Sequence, residues 1–250
     1  MFVSLYNLWW QFLLLAISSY FIGNINFAVI ISKLKHNDIR KVGSGNPGTL
    51  NMSRTFGLKI GLLVLCLDIL KGVIPTLIGY LIYKDYYFYQ TTLPISLIAK
   101  VLCGFFAVLG HVFPALMKFK GGKGIATTIG VFAVCNIYVA LISGAIAIVF
   151  ILLTEVGSMG SFIATTPGAI AASLDVYRFY VLANSITVGQ IVAASITNLF
   201  IVGIILLTWY AHRQNIKRLI SGQEHPTNWL QMIKESIIKK KINKGENNHK

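Results

Sequence analysis

Three short polar segments hold most of the residues that could do chemistry in an otherwise apolar chain. The first is "VGSGNPGTLNMSR", residues 42–54. Gly43, Gly45 and Gly48 allow positive backbone angles and close approach of a ligand to the main chain. Consecutive amides in such a turn can form an anion-binding nest. A helix is expected to begin near Asn51, and its N-terminal dipole would favour the same anion, with Arg54 one turn further on. Ser44 and Asn46 supply side-chain groups within the turn. The spacing matches G-x-G-x-x-G, but a dinucleotide fingerprint needs a strand before it, and an apolar helix precedes this one.

The second segment is "GHVFPALMKFKGGKGIATTIG", residues 110–130. It repeats the design of apolar helix, glycine-rich basic turn and apolar helix. Gly121, Gly122 and Gly124 flank Lys123 and are expected to expose amides around it. A Walker A loop cannot be drawn at Lys123. His111 ends the preceding span and reads as a packing or headgroup residue. The third segment is "AHRQNIKRLISGQEHP", residues 211–226. Helical spacing places His212, Asn215 and Leu219 on one face, and both polar groups can hydrogen-bond. Each segment alone also fits a simpler role: a capped surface turn, a basic membrane-flanking turn, or a headgroup-binding helix.

The elements that must position these segments are membrane helices. The chain has 250 residues, 55% hydrophobic and only 12% charged, with a mean hydropathy of +0.69. Soluble domains carry about a quarter charged residues. Apolar runs place spans near 10–31, 58–83, 93–113, 124–139, 140–156, 162–182 and 187–210. The expectation is an all-α polytopic membrane protein of about seven transmembrane helices, six being the main competitor. Residues 1–225 form the membrane domain and 226–250 a basic polar tail with helical character at 228–241. The first apolar run lacks a preceding basic residue and a small-residue cleavage site, so it reads as a retained span.

Most of the 22 Lys and Arg fall in 33–59, 118–123 and the C-terminal segment. An odd number of spans puts all three in the cytoplasm, as the positive-inside rule requires. That clustering also accounts for the +14 charge, so nucleic acid is not an expected partner and anionic membrane lipids are. Cys66, Cys103 and Cys135 lie in apolar runs without metal-ligand spacing, and neither disulfides nor a metal are expected. Asp68 and Lys71 are spaced to pair inside the second span. Asn24, Asn26, Ser158 and Ser161 are further polar positions that could line a site.

Together, "GSGNPGTLNMSR", "GHVFPALMKFKGGKGIAT", "HRQNIKRLISGQEH" and "LDILKGVIP" resemble the bacterial acyl-phosphate:glycerol-3-phosphate acyltransferase family from about residue 20 to 225. The resemblance implies a seven-helix enzyme of the bacterial cell membrane with a cytoplasmic active site. It implies acyl transfer from a fatty acyl-phosphate to the 1-hydroxyl of glycerol 3-phosphate, the first step of phospholipid synthesis, without a cofactor. The enzyme that supplies the acyl-phosphate is then a candidate partner. Carried onto this sequence, the family's pattern marks Ser44, Lys123, His212 and Asn215 as catalytic. It marks Arg54, Gly43, Gly45, Asn46, Asn51, Gly121, Gly122, His111, Glu224, Ser158 and Ser161 as substrate-binding. Thr49 and Leu50 depart from the family's usual residues, and Leu50 narrows the pocket if it faces substrate. The alternatives are a divergent paralogue with an altered substrate and a transporter or scramblase of phosphate-bearing solutes or lipids. A transporter would place interrupted helices at the bilayer midplane, whereas these glycine turns lie at helix ends.

Overall fold

In the computed structural model, the first apolar stretch forms two helices. It breaks at Ile25–Asn26 because Asn26 caps a new helix: its Oδ1 accepts the Val29 amide at 3.0 Å. The structure describes residues 2–3, 5–88, 93–181, 187–224, 226–235 and 237–238. Helix α1 (Leu5–Asn24) and α2 (Phe27–Leu34) make the first pass. A short α3 (Thr49–Phe56) leads into α4 (Leu58–Tyr83) and α5 (Ile95–Val112). Then come α6 (Ile125–Cys135), α7 (Ile137–Thr154), α8 (Gly157–Val181), α9 (Val188–Ala211) and α10 (Arg213–Ile220). Two-residue strands, β1 (Phe2–Val3) and β2 (Tyr87–Phe88), pair in parallel at the opposite end from the polar segments.

Five stretches are long and apolar enough to cross a membrane among the described residues: Asn7–Leu34, Leu58–Tyr83, Ile95–Met117, Ile137–Thr154 and Val188–Ala211. The other two expected spans are α6 and α8, and each departs from a regular apolar span for a local reason. Asn136 ends α6 after 11 residues and caps α7 through Val139 N–H. The span expected at 124–139 is therefore shorter by one turn. Helix α8 is long enough to span, but Pro167 and its small polar residues lower its hydropathy. The α7–α8 turn returns to the polar end, where Thr227 N–H donates to Glu155 O at 3.0 Å. With α6 and α8, helices occupy all seven expected places among the described residues, and all three polar segments lie at one end of the bundle.

Close helix contacts come from small residues, as in other membrane bundles. A Cβ on Gly72 would lie 2.1 Å from Thr127 O, and one on Gly130 would lie 2.2 Å from Ile69 O, so α4 and α6 touch backbone to backbone. Gly23 and Gly110 do the same between α1 and α5, against Ala107 O and Tyr20 O. Helix α5 is buried along most of its length and forms the axis of the bundle. Asn24 is structural: its Nδ2 donates to Tyr20 O and its Oδ1 accepts from Leu116 N–H, which ties the end of α1 to the turn after α5. The three cysteines are free. Residues 229–235 are helical, and the remainder of the helix expected to 241 lies largely outside the described residues.

Candidate active site

The first polar segment is organised by one side chain. Asn51 is buried; its Oδ1 accepts the Ser44 amide at 3.2 Å, and its Nδ2 donates to Ile39 O at 3.2 Å and Val42 O at 2.9 Å. This amide ties three points of the turn to α3, which begins at Thr49, two residues before the expected Asn51. Gly43 has φ +59°, and a Cβ there would lie 2.3 Å from Asn51 Oδ1. Glycine is required by both the backbone and the space. Ser44 Oγ accepts the Asn46 amide at 3.4 Å, and the Gly45 amide donates to Val42 O. Asn51 was expected to bind substrate; in the structure its amide holds the Ser44 turn through three hydrogen bonds. Asn51→Ala should lower thermal stability by about 1–3 kcal/mol, the cost of leaving buried backbone groups unpaired. The same variant should lose turnover through the displaced turn. Thermal unfolding in detergent and a turnover assay check both.

The second segment corrects the amide-nest expectation. Gly121 N–H donates to Val112 O and Gly122 N–H to His111 O, both at 3.2 Å. These amides close the turn against α5 and are not free for an anion. The glycines are there for proximity: a Cβ on Gly121 would meet His111 O at 2.0 Å, and one on Gly122 would meet His111 Nε2 at 2.3 Å. His111 is therefore a support for the lysine turn. Behind it, His111 Nδ1 lies 4.0 Å from Asp68 Oδ1, and Lys71 Nζ lies 2.9 Å from the same oxygen. Lys71 also donates to Ile25 O at the break between α1 and α2. The expected Asp68–Lys71 pair exists, and its third member comes from another helix, where sequence spacing gives no signal.

Held by that turn, Lys123 donates to Asn215 Oδ1 at 2.5 Å, and Asn215 Nδ2 donates to Glu224 Oε1 at 3.1 Å. The second and third segments are thus joined at the ammonium group. Burial pulls the Lys123 pKa down to about 8; Glu224 opposes this, while Arg218 and Arg54 push it further down. Arg54 donates to the carbonyls of Pro226 and Thr227, two and three residues after Glu224, so the first segment reaches the same end of the site. Arg218, read from sequence only as a basic residue, approaches Glu224 at 3.7 Å. Glu224 thus links Arg218 directly and Lys123 through Asn215.

His212 is buried at the junction of α9 and α10, with Nδ1 2.9 Å from Thr208 O. That contact suits a protonated Nδ1 and leaves the lone pair on Nε2. Burial, and then Lys123, push its pKa down to about 4, so the ring is neutral at physiological pH. Phe162 sits edge-on at 5.4 Å. Ser161 Oγ donates to Gly157 O, within its own helix. Ser158 is buried, and its hydroxyl has no partner among the described residues. Arg54 Nη2 donates to Pro226 O at 2.9 Å and Thr227 O at 3.3 Å. The packed body therefore runs past the expected boundary at 225, through Thr227. Pro226 and Thr227 carried no signal in the sequence, since a backbone carbonyl can serve from any residue.

Fold and site together define a multi-pass helical membrane protein that gathers Lys123, Arg54, Arg218, His212 and Asn215 at one end of its bundle. The model of the family described as glycerol-3-phosphate acyltransferase matches residues 13–222. A glycerol-3-phosphate acyltransferase of Mycoplasmopsis pulmonis is 36% identical over 85% of this chain and 92% of its own. One from Bacillus subtilis is 36% identical over 87% and 98%. The crystal structure of PlsY (YgiH), an integral membrane glycerol 3-phosphate acyltransferase, is similar in both its glycerol 3-phosphate and lysophosphatidic acid forms. The former is 33% identical, covers 89% of this chain and 98% of its own, and superposes with a TM-score of 0.66; the latter gives 0.64. This chain belongs to the glycerol-3-phosphate acyltransferase family and is an acyltransferase of membrane phospholipid synthesis.

Proposed function

We propose that this enzyme transfers a fatty acyl group from a fatty acyl-phosphate to the 1-hydroxyl of glycerol 3-phosphate at the cytoplasmic face. The products are lysophosphatidic acid and inorganic phosphate. The observation that carries this reading is the cationic cluster at one end of the bundle: Lys123 donates to Asn215, which donates to Glu224, Arg218 approaches Glu224, and Arg54 donates to the carbonyls of Pro226 and Thr227 just beyond it. Two phosphate-bearing substrates would supply anions for these cations. The related PlsY structures bear on the acceptor and the product, since their forms are those of glycerol 3-phosphate and lysophosphatidic acid. The clustering of basic residues at one end of the bundle supports a cytoplasmic site.

An acyl-phosphate is a mixed anhydride, so its carbonyl is already activated. The 1-hydroxyl oxygen attacks the carbonyl carbon, the bond from that carbon to the phosphate oxygen breaks, and the hydroxyl proton leaves with the phosphate. Lys123 is placed to stabilise charge developing on the carbonyl and on the departing phosphate. Ser44, on its Asn51-braced turn, orients the hydroxyl. His212 and Asn215 position glycerol 3-phosphate, and Arg54 holds a phosphate. A histidine with a pKa near 4 is a weak base at neutral pH. Proton acceptance by the leaving phosphate fits the site better. His212→Ala should therefore slow phosphate release by about tenfold or more but leave it above background. Retained turnover excludes His212 as an obligatory base, whereas loss to background is equally the result of a lost positioning contact.

The test of the reaction is purified enzyme in detergent with palmitoyl-phosphate and glycerol 3-phosphate. Phosphate release that requires both substrates is expected, and palmitoyl-CoA in place of palmitoyl-phosphate should give no product. Turnover with palmitoyl-CoA, or release without the acceptor, would overturn the proposal.

A further inference from the structure

The segment 226–229 lies beyond the stretch that matches the family model, yet it is threaded through the site. Thr227 is 2% exposed. Its N–H donates to Glu155 O at the α7–α8 turn, and its carbonyl, with that of Pro226, accepts from Arg54. Its methyl group fills the space beside Gly157, where a Cβ would come within 2.7 Å of Thr227 Cγ2 and 3.4 Å of Leu50 Cδ1. One residue thus joins α3, the α7–α8 turn and the C-terminal segment. Every part of Thr227 has a partner except its hydroxyl, which is buried and unpaired among the described residues; Ser158, the neighbour of Gly157, carries a second such hydroxyl.

Arg54 Nη2 donates to both the Pro226 and Thr227 carbonyls. Each of the two forks by which arginine grips an oxyanion uses Nη2. With Nη2 turned to these carbonyls, Arg54 presents Nε and Nη1 to a phosphate, and a neighbouring hydroxyl can complete the grip. A buried hydroxyl without an acceptor costs stability unless a ligand completes it.

We propose that Thr227 is a substrate-binding residue, whose hydroxyl donates to the phosphate held by Arg54 while its carbonyl fixes the Arg54 guanidinium. The ligand class is a phosphate monoester or acyl-phosphate anion. The proposal rests on the reaction proposed above and adds a contact from the C-terminal segment beyond the family match. It also explains why the strap is held from two sides. The Glu155 contact fixes its backbone, and the arginine reads its carbonyls.

The experiment is steady-state kinetics of Thr227→Val and Thr227→Ser with palmitoyl-phosphate and glycerol 3-phosphate varied in turn. Valine keeps the shape and removes the hydroxyl. It should raise the KM of one substrate about ten- to a hundredfold, the effect of losing one hydrogen bond to a charged group, and leave the other nearly unchanged. Whichever KM moves identifies the phosphate. Serine should restore it. Both KM values within twofold of wild type, or serine as impaired as valine, would overturn the proposal. Should the valine variant not fold, Thr227→Ala read against Thr227→Ser carries the same comparison. If the wild-type enzyme does not turn these substrates over, the reaction fails independently. Binding of inorganic phosphate, weaker in Thr227→Val than in wild type, then decides the subsite alone: equal binding would sink it.

Discussion

Lys123→Met is expected to lower kcat by about 10²–10³-fold, the usual cost of removing one preorganised group that meets developing negative charge. The same change should leave the protein at least as stable as before. Lys123 has its pKa drawn down from 10.5 to about 8 by burial. A lysine whose folded-state value is depressed destabilises the fold below about pH 8, where it must be charged in both states. That penalty is relieved as pH rises from about 8 towards 10.5, where the unfolded chain holds the extra proton. Methionine removes the buried charge and keeps the stem. Activity and stability should therefore move in opposite directions at pH 7, which separates a chemical role from a structural one. The activity of the wild-type enzyme should follow the charged form. kcat/KM is expected to fall as pH rises through about 8, and Lys123→Arg, which stays charged, should lose that limb. Bound phosphate favours the ammonium, so the limb in kcat should lie at higher pH than the limb in kcat/KM. A flat profile in the wild type, or a Lys123→Met enzyme with near-normal kcat, would remove Lys123 from the chemistry.

How much of this was legible in the sequence depends on how far each partner lies along the chain. The spans were, because hydropathy accumulates over twenty neighbouring residues. Their interruptions were legible only in kind: Asn26 and Asn136 are ordinary cap residues, but only the structure shows that each starts a new helix inside an apolar stretch. The glycine turns were also visible. What their amides do was not, since the partners of Gly121 and Gly122 are carbonyls of Val112 and His111 that any sequence would offer. The same limit hid the contact of Arg54 with residues 226 and 227, about 170 positions away. Asn51 shows the converse error. The family pattern marked it as a ligand contact, and the structure shows three of its hydrogen bonds shaping the turn.

Removing Asp68 alone should be the most damaging single change to the fold. Lys71 lies 2.9 Å from Asp68 inside the second span, both side chains are almost fully buried, and no water-exposed alternative is at hand. Breaking a buried pair by deleting one partner costs about 3–5 kcal/mol, because the remaining charge is left without compensation. Asp68→Asn should therefore unfold at a much lower temperature in detergent. The paired change Asp68→Asn with Lys71→Met should recover most of the loss, since an apolar replacement of the whole pair is often neutral or better. Activity need not recover with stability. Asp68 also faces His111, whose ring sits against Gly122 in the turn that aims Lys123. A double variant that is stable yet slow would show that the buried triad serves the lysine turn as well as the bundle. Additive losses in the two single variants and the double would mean that the pair contributes no mutual stabilisation. The intramembrane charges would then have to be explained by the site alone.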